Sequence, residues 1–276
     1  MRCALLQLNV SDDPAANLEQ ALAYCDAAVA QGAAFILTPE VTNCISPDHD
    51  HQRAVLQAQD DDQTLAGLRT FAVTQGVHVL IGSLSLQTDD PQGRFANRSF
   101  LIGPDGAILA WYDKIHMFDV DLAQGETYRE SDRFRPGDRM VVADTPIAQI
   151  GMAICYDMRF PALSQALGQA GAEILTYPSA FSRVSGAAHW ETLLRARAIE
   201  TGCWVMAPAQ TGVHPTHAAT PRATWGHSLV VDPWGRVVLD AGDAPGVYAF
   251  DLDIGLVAEA RSRIPALKNA RRFTGP

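Results

Sequence analysis

Short apolar runs alternate with helix-like segments along most of this 276-residue chain, and the alternation restricts the possible folds more than any other feature. The apolar runs are typical of buried strands, and the amphipathic segments between them end at glycines such as Gly32 and Gly76. The predicted strands are 2–8, 34–37, 77–86, 97–102, 107–112, 147–154, 173–177, 204–207 and 246–252. The predicted helices are 17–30, 65–74, 162–170 and 187–201, with a polar helix after the last strand.

Two turn-forming tetrapeptides predict hairpins within this rhythm. They are Gly-Pro-Asp-Gly at 103–106 and Asp-Pro-Trp-Gly at 232–235. Helices between strands, together with hairpins, favour an α/β fold of mixed sheets packed on helices rather than a purely parallel barrel. Because no linker rich in proline, glycine or serine interrupts the pattern, residues 1–276 are predicted to form a single domain with two similar halves.

The charge balance and the cysteine content exclude several classes of protein. The 31 acidic residues outnumber the 21 lysines and arginines, and the net charge of −10 argues against a general nucleic-acid-binding protein. The 5 cysteines are odd in number and form no Cys-x-x-Cys pair, so neither a zinc site nor a disulfide framework is predicted. Free thiols are typical of the cytoplasm. No apolar run approaches the roughly 20 residues of a membrane helix, and no metal or organic cofactor is implied.

One apolar run, 147–154, ends abruptly at a cysteine, Cys155, and Pro161 opens the next helical segment after a polar turn. A thiol on a sharp turn between a buried strand and a helix is well placed to act as a nucleophile. Nearby backbone N–H groups can stabilise a developing negative charge. The alternative, which this segment alone supports equally, is a buried cysteine that packs as a small hydrophobe.

Two charged residues, Glu40 and Lys114, also follow predicted strands directly. Ligands in open α/β sheets bind outside the carboxyl ends of the strands, where Cys155 also lies. The long irregular stretches 41–61 and 113–139 begin beside these two residues, and long loops in compact domains are usually functional. Histidine is the usual base for a cysteine nucleophile, but none of the 8 histidines forms a local motif with the thiol.

Short motifs surround the three reactive residues: Leu-Thr-Pro-Glu at 37–40, Asp-Lys-Ile-His at 113–116 and the segment 151–161 around Cys155. Four further segments belong to the same pattern and lie at 177–181, 189–191, 195–200 and 226–235. In these motifs the chain resembles a carbon–nitrogen hydrolase of the nitrilase superfamily, over nearly its whole length. Each motif alone is weak evidence for the family. Three motifs in the order of the family, each with matching flanking residues, are strong evidence for it. The resemblance implies an αββα sandwich of mixed sheets flanked by helices.

The resemblance also implies a catalytic triad of Glu40, Lys114 and Cys155. Glu40 is the expected general base, which takes the thiol proton and later a proton from water. Lys114 is expected to donate to the tetrahedral oxyanion, with the backbone N–H of Tyr156 as the second donor. A nearby ammonium is expected to favour the thiolate over the thiol, whose usual pKa is about 8.5. The alternative for Glu40 and Lys114 is a structural ion pair.

Further residues are expected to position the substrate. Glu130 resembles the second glutamate of the family, with Glu126 as the nearby competitor and a solvated loop carboxylate as the alternative. Tyr156 and Phe181 are expected to line a pocket, and core packing is the alternative for each.

The residues after the cysteine indicate a branch of the family. Tyr156 and Asp157 resemble the amidase-like branches, whereas nitrilases usually carry Trp-Glu at these positions. The flanking segments resemble the branch that holds ω-amidase and deaminated glutathione amidase, and 174–181 and 195–200 are closer to the latter. The expected reaction is hydrolysis of deaminated glutathione to 2-oxoglutarate and Cys-Gly. The alternatives are hydrolysis of 2-oxoglutaramate to 2-oxoglutarate and ammonia, or of another aliphatic amide or N-carbamoyl compound.

Both expected substrates are anionic, so the site needs a cation besides Lys114. The candidates are the basic residues Arg129, Arg159, Arg183 and His214. The sequence does not choose among them, and Arg159 could instead pair with a core carboxylate. Arg183 and the loop 210–224 depart from the family pattern, which leaves the exact substrate open.

Three other functions are alternatives to amide hydrolysis. They are acyl transfer to an amine by the same triad, a non-catalytic binding protein on the same fold, and a redox-sensing thiol at Cys155. The presence of all three triad residues disfavours the binding protein. By analogy with the superfamily, the protein is expected to act on a small-molecule amide as a homodimer or larger homo-oligomer, without nucleic-acid or membrane partners.

Overall fold

The computed structural model describes residues 1–122, 127–271 and 273–275, in which strands and helices alternate as predicted. The helices are α1 (Pro14–Ala30), α2 (His49–Val55), α3 (Gln63–Gln75), α4 (Pro161–Gln169), α5 (Arg183–Thr201), α6 (Gly255–Arg263) and α7 (Ala266–Asn269). The strands of the first half are β1 (Arg2–Gln7), β2 (Phe35–Leu37), β3 (His78–Leu86), β4 (Ala96–Ile102), β5 (Ile108–Asp113), β6 (Asp119–Asp121) and β7 (Thr127–Arg129). The later strands are β8 (Val141–Asp144), β9 (Gln149–Met152), β10 (Ile174–Thr176), β11 (Trp204–Ala207), β12 (Thr211–Val213), β13 (Ala223–Trp225), β14 (Leu229–Val231), β15 (Val237–Asp240) and β16 (Gly246–Asp251).

Two six-stranded mixed sheets form the centre of the described structure. Sheet 1 has the order β16-β1-β2-β3-β4-β5, and sheet 2 has the order β8-β9-β10-β11-β14-β15. In each sheet three neighbouring strands run parallel, and all other pairs are antiparallel. The two predicted turns connect β4 to β5 and β14 to β15, so both hairpins are confirmed. The two sheets therefore share one pairing pattern.

Alternate residues of the central strands face different layers. On β1, Cys3 and Leu5 belong to the core between the two sheets, whereas Ala4 and Leu6 pack in a second core with residues of α1 and α3. The core between the sheets continues to α4 and α5, where Leu194 is fully buried. The layers follow the order helix, sheet, sheet, helix, which confirms the αββα sandwich.

Local signals account for several helix ends. At the start of α1, the Asp13 side chain accepts hydrogen bonds from the N–H groups of Ala15 and Ala16. Gly76 and Gly202 follow α3 and α5 with φ angles of 66° and 61°, a left-handed conformation that side chains with a Cβ rarely adopt. No helix within the described residues is long and apolar enough to cross a membrane.

The structure differs from the predicted elements mainly at the sheet edge and in the irregular stretches. Helix α2 lies within 41–61, and the hairpin β6-β7 lies within 113–139. Strand β8 was not predicted, because it is a sheet-edge strand of only four residues. The predicted strand 147–154 is limited to the four residues of β9, since the chain leaves the sheet before Cys155.

Candidate active site

The ends of three strands meet at one cavity of about 670 Å³. Glu40 follows β2 by three residues, Lys114 follows β5 directly, and Cys155 follows β9 by three residues. Glu130 lines the same cavity from a 3₁₀ turn, while its competitor Glu126 lies outside the described residues. Because β2 and β5 belong to sheet 1 and β9 to sheet 2, packing of the two sheets assembles the site.

A buried cluster of two carboxylates and one ammonium occupies the cavity floor. Lys114 Nζ donates to Glu40 Oε1 at 2.9 Å and to both Glu130 oxygens at 2.8 Å. Asn97 Nδ2 donates to Oε1 of Glu40 at 2.9 Å and of Glu130 at 3.3 Å. The Phe118 N–H donates to Glu130 Oε2 at 2.6 Å. These contacts hold the ammonium between the two carboxylates.

The Ala180 backbone and the Gln210 side chain, both from the second half, hold Glu40 in place. Its second oxygen, Oε2, accepts the Ala180 N–H at 2.7 Å, and its carbonyl accepts Gln210 Nε2 at 3.0 Å. The next residue, Val41, has a φ of 50°, a costly conformation for a β-branched residue. The Ser83 hydroxyl accepts the Val41 N–H at 2.8 Å and stabilises this turn.

The cysteine lies on a strained turn. Cys155 has a φ of 47° and begins the 3₁₀ turn Cys155–Arg159. Strain of this kind concentrates at functional sites, where the surrounding structure maintains it. The Cys155 N–H donates to the Pro178 carbonyl at 3.0 Å. The Tyr156 N–H lies in the first turn, where backbone donors have no acceptor within the helix, so it is available to a bound oxyanion.

Asp157 connects this turn to the segment that carries Lys114. Its carboxylate is fully buried and accepts the Tyr112 hydroxyl at 2.7 Å and the Ile154 N–H at 2.8 Å. It also lies 3.1 Å from the His116 N–H nitrogen and 2.7 Å from His116 Nδ1. One buried carboxylate therefore holds the loops after β5 and β9 together.

Burial and nearby charges shift the pKa values of Cys155 and Glu40. Burial raises the pKa of the Cys155 thiol, and the Glu40 carboxylate raises it further, against the opposing effect of Lys114. Burial also opposes ionisation of Glu40, but Lys114 outweighs it and holds the pKa of that carboxyl below its usual range. Lys114 lowers the pKa of the thiol, as expected for a nearby ammonium, but burial and Glu40 outweigh this effect. Glu130, which shares the ammonium, makes a smaller contribution that also raises the pKa of the thiol.

Four of the five predicted substrate-positioning residues line the cavity: Glu130, Tyr156, Phe181 and Arg183. Arg159 is not among the lining residues. Its guanidinium carbon lies 5.8 Å from the ring centroid of Tyr156 and 5.3 Å from that of Phe181, and its Nη atoms lie 3.3 Å from His189 Nδ1. Arg159 therefore packs against two wall residues instead of facing the cavity.

Two of the candidate cations are neutral or already paired. His214 Nδ1 lies 2.8 Å from the Val10 carbonyl oxygen, and Nε2 lies 2.7 Å from Thr224 Oγ1. Burial lowers the pKa of His214 to about 4, so this residue is uncharged at neutral pH and does not supply the cation. Arg129 lines the cavity, but its Nη2 donates to both Asp121 oxygens at 2.9 and 3.0 Å.

Sequence reasoning missed two residues of the site, Asn97 and Arg222. Asn97 binds both carboxylates, but a single amide in a predicted strand carries no recognisable motif. Arg222 lines the cavity, and its Nη2 donates to the Ala180 carbonyl at 2.6 Å. The only available signal for Arg222 was the departure of the loop 210–224 from the family pattern.

The charge of the cavity is opposite to that of the whole protein. Among the described residues, five cationic side chains and three carboxylates line it, a net charge of +2 on a chain of net charge −10. The cations are Lys114, Arg129, Arg133, Arg183 and Arg222, and the carboxylates are Glu40, Glu130 and Asp132. Such a cavity favours an anionic small molecule. In the part of the chain that the structure describes, no group of His, Cys, Asp or Glu side chains could hold a metal ion.

Known proteins match this chain over nearly its full length. The sequence profile of the family Carbon-nitrogen hydrolase matches residues 2–262. A deaminated glutathione amidase of Yersinia enterocolitica is 38% identical, over 97% of this chain and 92% of its own. An omega-amidase of Mus musculus is 36% identical, over 98% and 95%. The C. elegans NitFhit protein has a similar structure, with a TM-score of 0.88 and 33% identity, over 98% of this chain and 65% of that one.

The family match covers both halves of the molecule. Glu40, Lys114 and Cys155 all lie within the matched residues, on the strand ends that meet at the cavity. The resemblance inferred from the short motifs is thereby confirmed. This chain is an enzyme of the carbon–nitrogen hydrolase family.

Proposed function

We propose that this enzyme hydrolyses the amide bond of a small carboxylated substrate through a thioester on Cys155. The observation that carries the proposal is that the thiol, the Glu40 carboxylate and the Lys114 ammonium line one cavity. The Glu40 carboxylate raises the pKa of the thiol, so a proton acceptor acts on the nucleophile.

In the first step, the Cys155 sulfur attacks the amide carbonyl carbon while Glu40 accepts the thiol proton. The Lys114 ammonium and the Tyr156 N–H stabilise the oxyanion of the tetrahedral intermediate. As the C–N bond breaks, Glu40 passes the proton to the leaving nitrogen and the amine departs. The acyl group remains on the sulfur as a thioester.

In the second step, water attacks the thioester carbonyl carbon while Glu40 accepts one of its protons. The same two donors stabilise the second oxyanion. The C–S bond then breaks, the carboxylic acid is released, and the Cys155 sulfur recovers the proton from Glu40. The raised pKa of the thiol favours this last transfer and restores the resting site.

The positive cavity supports a substrate that carries a carboxylate. We propose deaminated glutathione, cleaved to 2-oxoglutarate and Cys-Gly, a choice supported by the relative from Yersinia enterocolitica. The alternative, supported by the omega-amidase relative, is 2-oxoglutaramate, cleaved to 2-oxoglutarate and ammonia. Both substrates donate the same acyl group and form the same thioester, so they differ only in the leaving amine.

Turnover of deaminated glutathione, 2-oxoglutaramate, an N-carbamoyl acid and several uncharged aliphatic amides, measured side by side, tests the proposal. We expect the two carboxylated amides to have the highest kcat/KM. Mass spectrometry of enzyme quenched during turnover should show the acyl adduct on Cys155. Products formed with an added amine distinguish hydrolysis from acyl transfer.

Cys155→Ala should abolish turnover and leave the protein folded. Cys44→Ala, which removes a second buried thiol near the site, is the matched control and should retain turnover. Turnover retained in Cys155→Ala, or the failure of the wild-type enzyme to hydrolyse any of these amides, would reject the proposal.

We further propose that the protein forms a homodimer or larger homo-oligomer and acts in the cytoplasm. An exposed apolar patch supports the assembly: Ile199 on α5 contacts Gly235, next to the exposed Trp234. The odd number of cysteines without paired spacing supports the compartment. Light scattering that shows a monomer at micromolar concentration would contradict the assembly.

A further inference from the structure

Arg222 and Glu40 bind opposite polar groups of one residue, Ala180. The Ala180 N–H donates to Glu40 Oε2 at 2.7 Å, and the Ala180 carbonyl accepts from Arg222 Nη2 at 2.6 Å. The guanidinium is thereby fixed at the cavity wall, close to the catalytic carboxylate. Its charge acts on Glu40 and, after the larger effects of burial and Lys114, helps to hold the pKa of that carboxyl low.

Arg222 has unused donors. A guanidinium carries five N–H donors. Among the described residues, the Arg222 side chain makes one hydrogen bond, to Ala180, and its Nε is buried without an acceptor. The guanidinium carbon lies 5.7 Å from the ring centroid of Tyr128, which covers one face. Apart from the Nη2 donor that binds Ala180, the N–H donors on its Nη atoms have no partner among the described residues, and Arg222 lines the cavity.

The other cations of the cavity are less suited to such a partner. Lys114 is held by two carboxylates and faces the reacting carbonyl. Arg129 is paired with Asp121, and Arg133 Nη2 donates to a backbone carbonyl at 2.8 Å. Arg183 is exposed in the first turn of α5, at the rim. Within the described residues, Arg222 is therefore the cavity cation that combines a position near the catalytic carboxylate with unpaired guanidinium donors.

We propose that Arg222 binds the substrate carboxylate and thereby sets the preference of the enzyme for amides that also carry an acid group. The inference rests on the proposed amide hydrolysis and identifies the residue that recognises its substrate class. A guanidinium presents parallel N–H donors that match the two oxygens of a carboxylate. Because Ala180 fixes Arg222 near Glu40, the contact selects substrates in which the acid and the amide lie on one short chain.

The test compares glutaramate with pentanamide, two amides of equal chain length that differ in the terminal carboxylate. In Arg222→Gln, kcat/KM for glutaramate should fall roughly 10- to 100-fold, the loss expected for one charge-assisted contact, and mainly through KM. The kcat/KM for pentanamide should fall less than that for glutaramate, because this substrate loses only the effect of Arg222 on Glu40. Arg222→Lys keeps the charge without the planar pair of donors and should lose an intermediate amount.

A second measurement does not depend on turnover. Calorimetry should show glutarate binding to the Cys155→Ala protein, and adding Arg222→Gln should weaken this binding roughly 10- to 100-fold. Glutarate affinity that is unchanged by the Arg222 substitution would overturn the role of Arg222. Failure of the wild-type enzyme to hydrolyse any amide would instead reject the proposed function, so the two failures are distinguishable.

Two further outcomes would also overturn the role of Arg222. An equal loss for glutaramate and pentanamide in both Arg222 variants would indicate a structural contribution through Ala180. A larger selective loss of glutaramate turnover in Arg183→Gln than in Arg222→Gln would place the carboxylate at the rim. The proposal therefore requires the selective loss to be largest at Arg222.

Discussion

The two halves of the molecule share one sheet pattern but carry different side chains at their strand ends. Strands β2 and β10 occupy equivalent places in their sheets, and Glu40 and Ser179 lie three residues beyond them. Strands β1 and β9 are equivalent in the same way, and Val10 and Cys155 lie three residues beyond them. Val10 is a fully buried hydrophobe, and the Ser179 hydroxyl donates to the Tyr177 carbonyl at 2.9 Å. In each of these two pairs of equivalent positions, one position therefore carries a reactive side chain and the other does not.

The comparison shows that the two similar sheets place loop residues at the cavity, while the identity of each loop residue determines which reaction it can take part in. The halves also depend on each other. Ala180, after β10, orients Glu40, and Asp157, after β9, binds His116 in the segment of Lys114. The acid and the ammonium come from one half and the thiol from the other, so neither half contains the site alone.

The largest expected effect distinguishes Glu40 from Ser179. Glu40→Gln keeps the size of the side chain but removes the proton acceptor, so kcat should fall roughly 10²- to 10⁴-fold. Ser179→Ala removes one buried hydrogen bond at the equivalent position and should lower the free energy of unfolding by about 1 kcal/mol with little change in kcat. Turnover kinetics and urea unfolding of both variants measure these effects. A comparable fall in kcat for Ser179→Ala would contradict the proposed difference between a catalytic Glu40 and a structural Ser179.

A smaller effect concerns His214, which joins the loop between β12 and β13 to Val10. Burial lowers the pKa of His214 from its usual 6.5 to about 4 in the folded protein. Between these values the unfolded chain binds a proton that the folded protein does not bind. The stabilisation is complete above pH 6.5 and is lost as pH falls towards 4, by on the order of 3 kcal/mol.

Urea unfolding at a series of pH values between these limits measures the His214 effect. His214→Gln cannot titrate and should flatten the dependence of the unfolding free energy on pH. If the pH dependence of the variant equals that of the wild type, His214 does not link the two halves in the way that the geometry indicates.

The smallest expected effect compares two buried tyrosines, one from each half. The Tyr112 hydroxyl donates to the Asp157 carboxylate at 2.7 Å, whereas the Tyr177 hydroxyl lies 2.7 Å from the Ser164 hydroxyl. Hydrogen bonds to charged groups contribute more, so Tyr112→Phe should cost about 2 kcal/mol of unfolding free energy and Tyr177→Phe about 1 kcal/mol. Urea unfolding checks both values. Equal costs would show that Asp157 does not strengthen the contact between the halves.

The element order was predictable because its signals are local. Apolar runs mark the central strands, turn tetrapeptides mark two hairpins, and Gly76 marks the end of α3. Strand β8 was not predicted because an edge strand of four residues is too short to show a clear pattern. Glu40, Lys114 and Cys155 were identifiable because short motifs with a fixed order surround them.

The rest of the site depends on contacts between distant parts of the chain. Asn97 meets Glu40 across 57 positions, and Arg222 meets Ala180 across 42. No local pattern encodes such contacts. The balance at Cys155 has the same origin, since burial and Glu40 raise the pKa of the thiol against Lys114 only in the folded chain.

The sequence by itself determined the alternation of strands and helices, the family, and the presence of an acid, an ammonium and a thiol at three strand ends. These properties depend on the spacing and identity of neighbouring residues. Only the tertiary structure decided that burial raises the pKa of Cys155, that Arg159 is not among the cavity-lining residues and that Arg222 is one of them. The physical reason is that proton affinity and substrate recognition follow burial and distances between charges, which exist only after the two sheets have packed together.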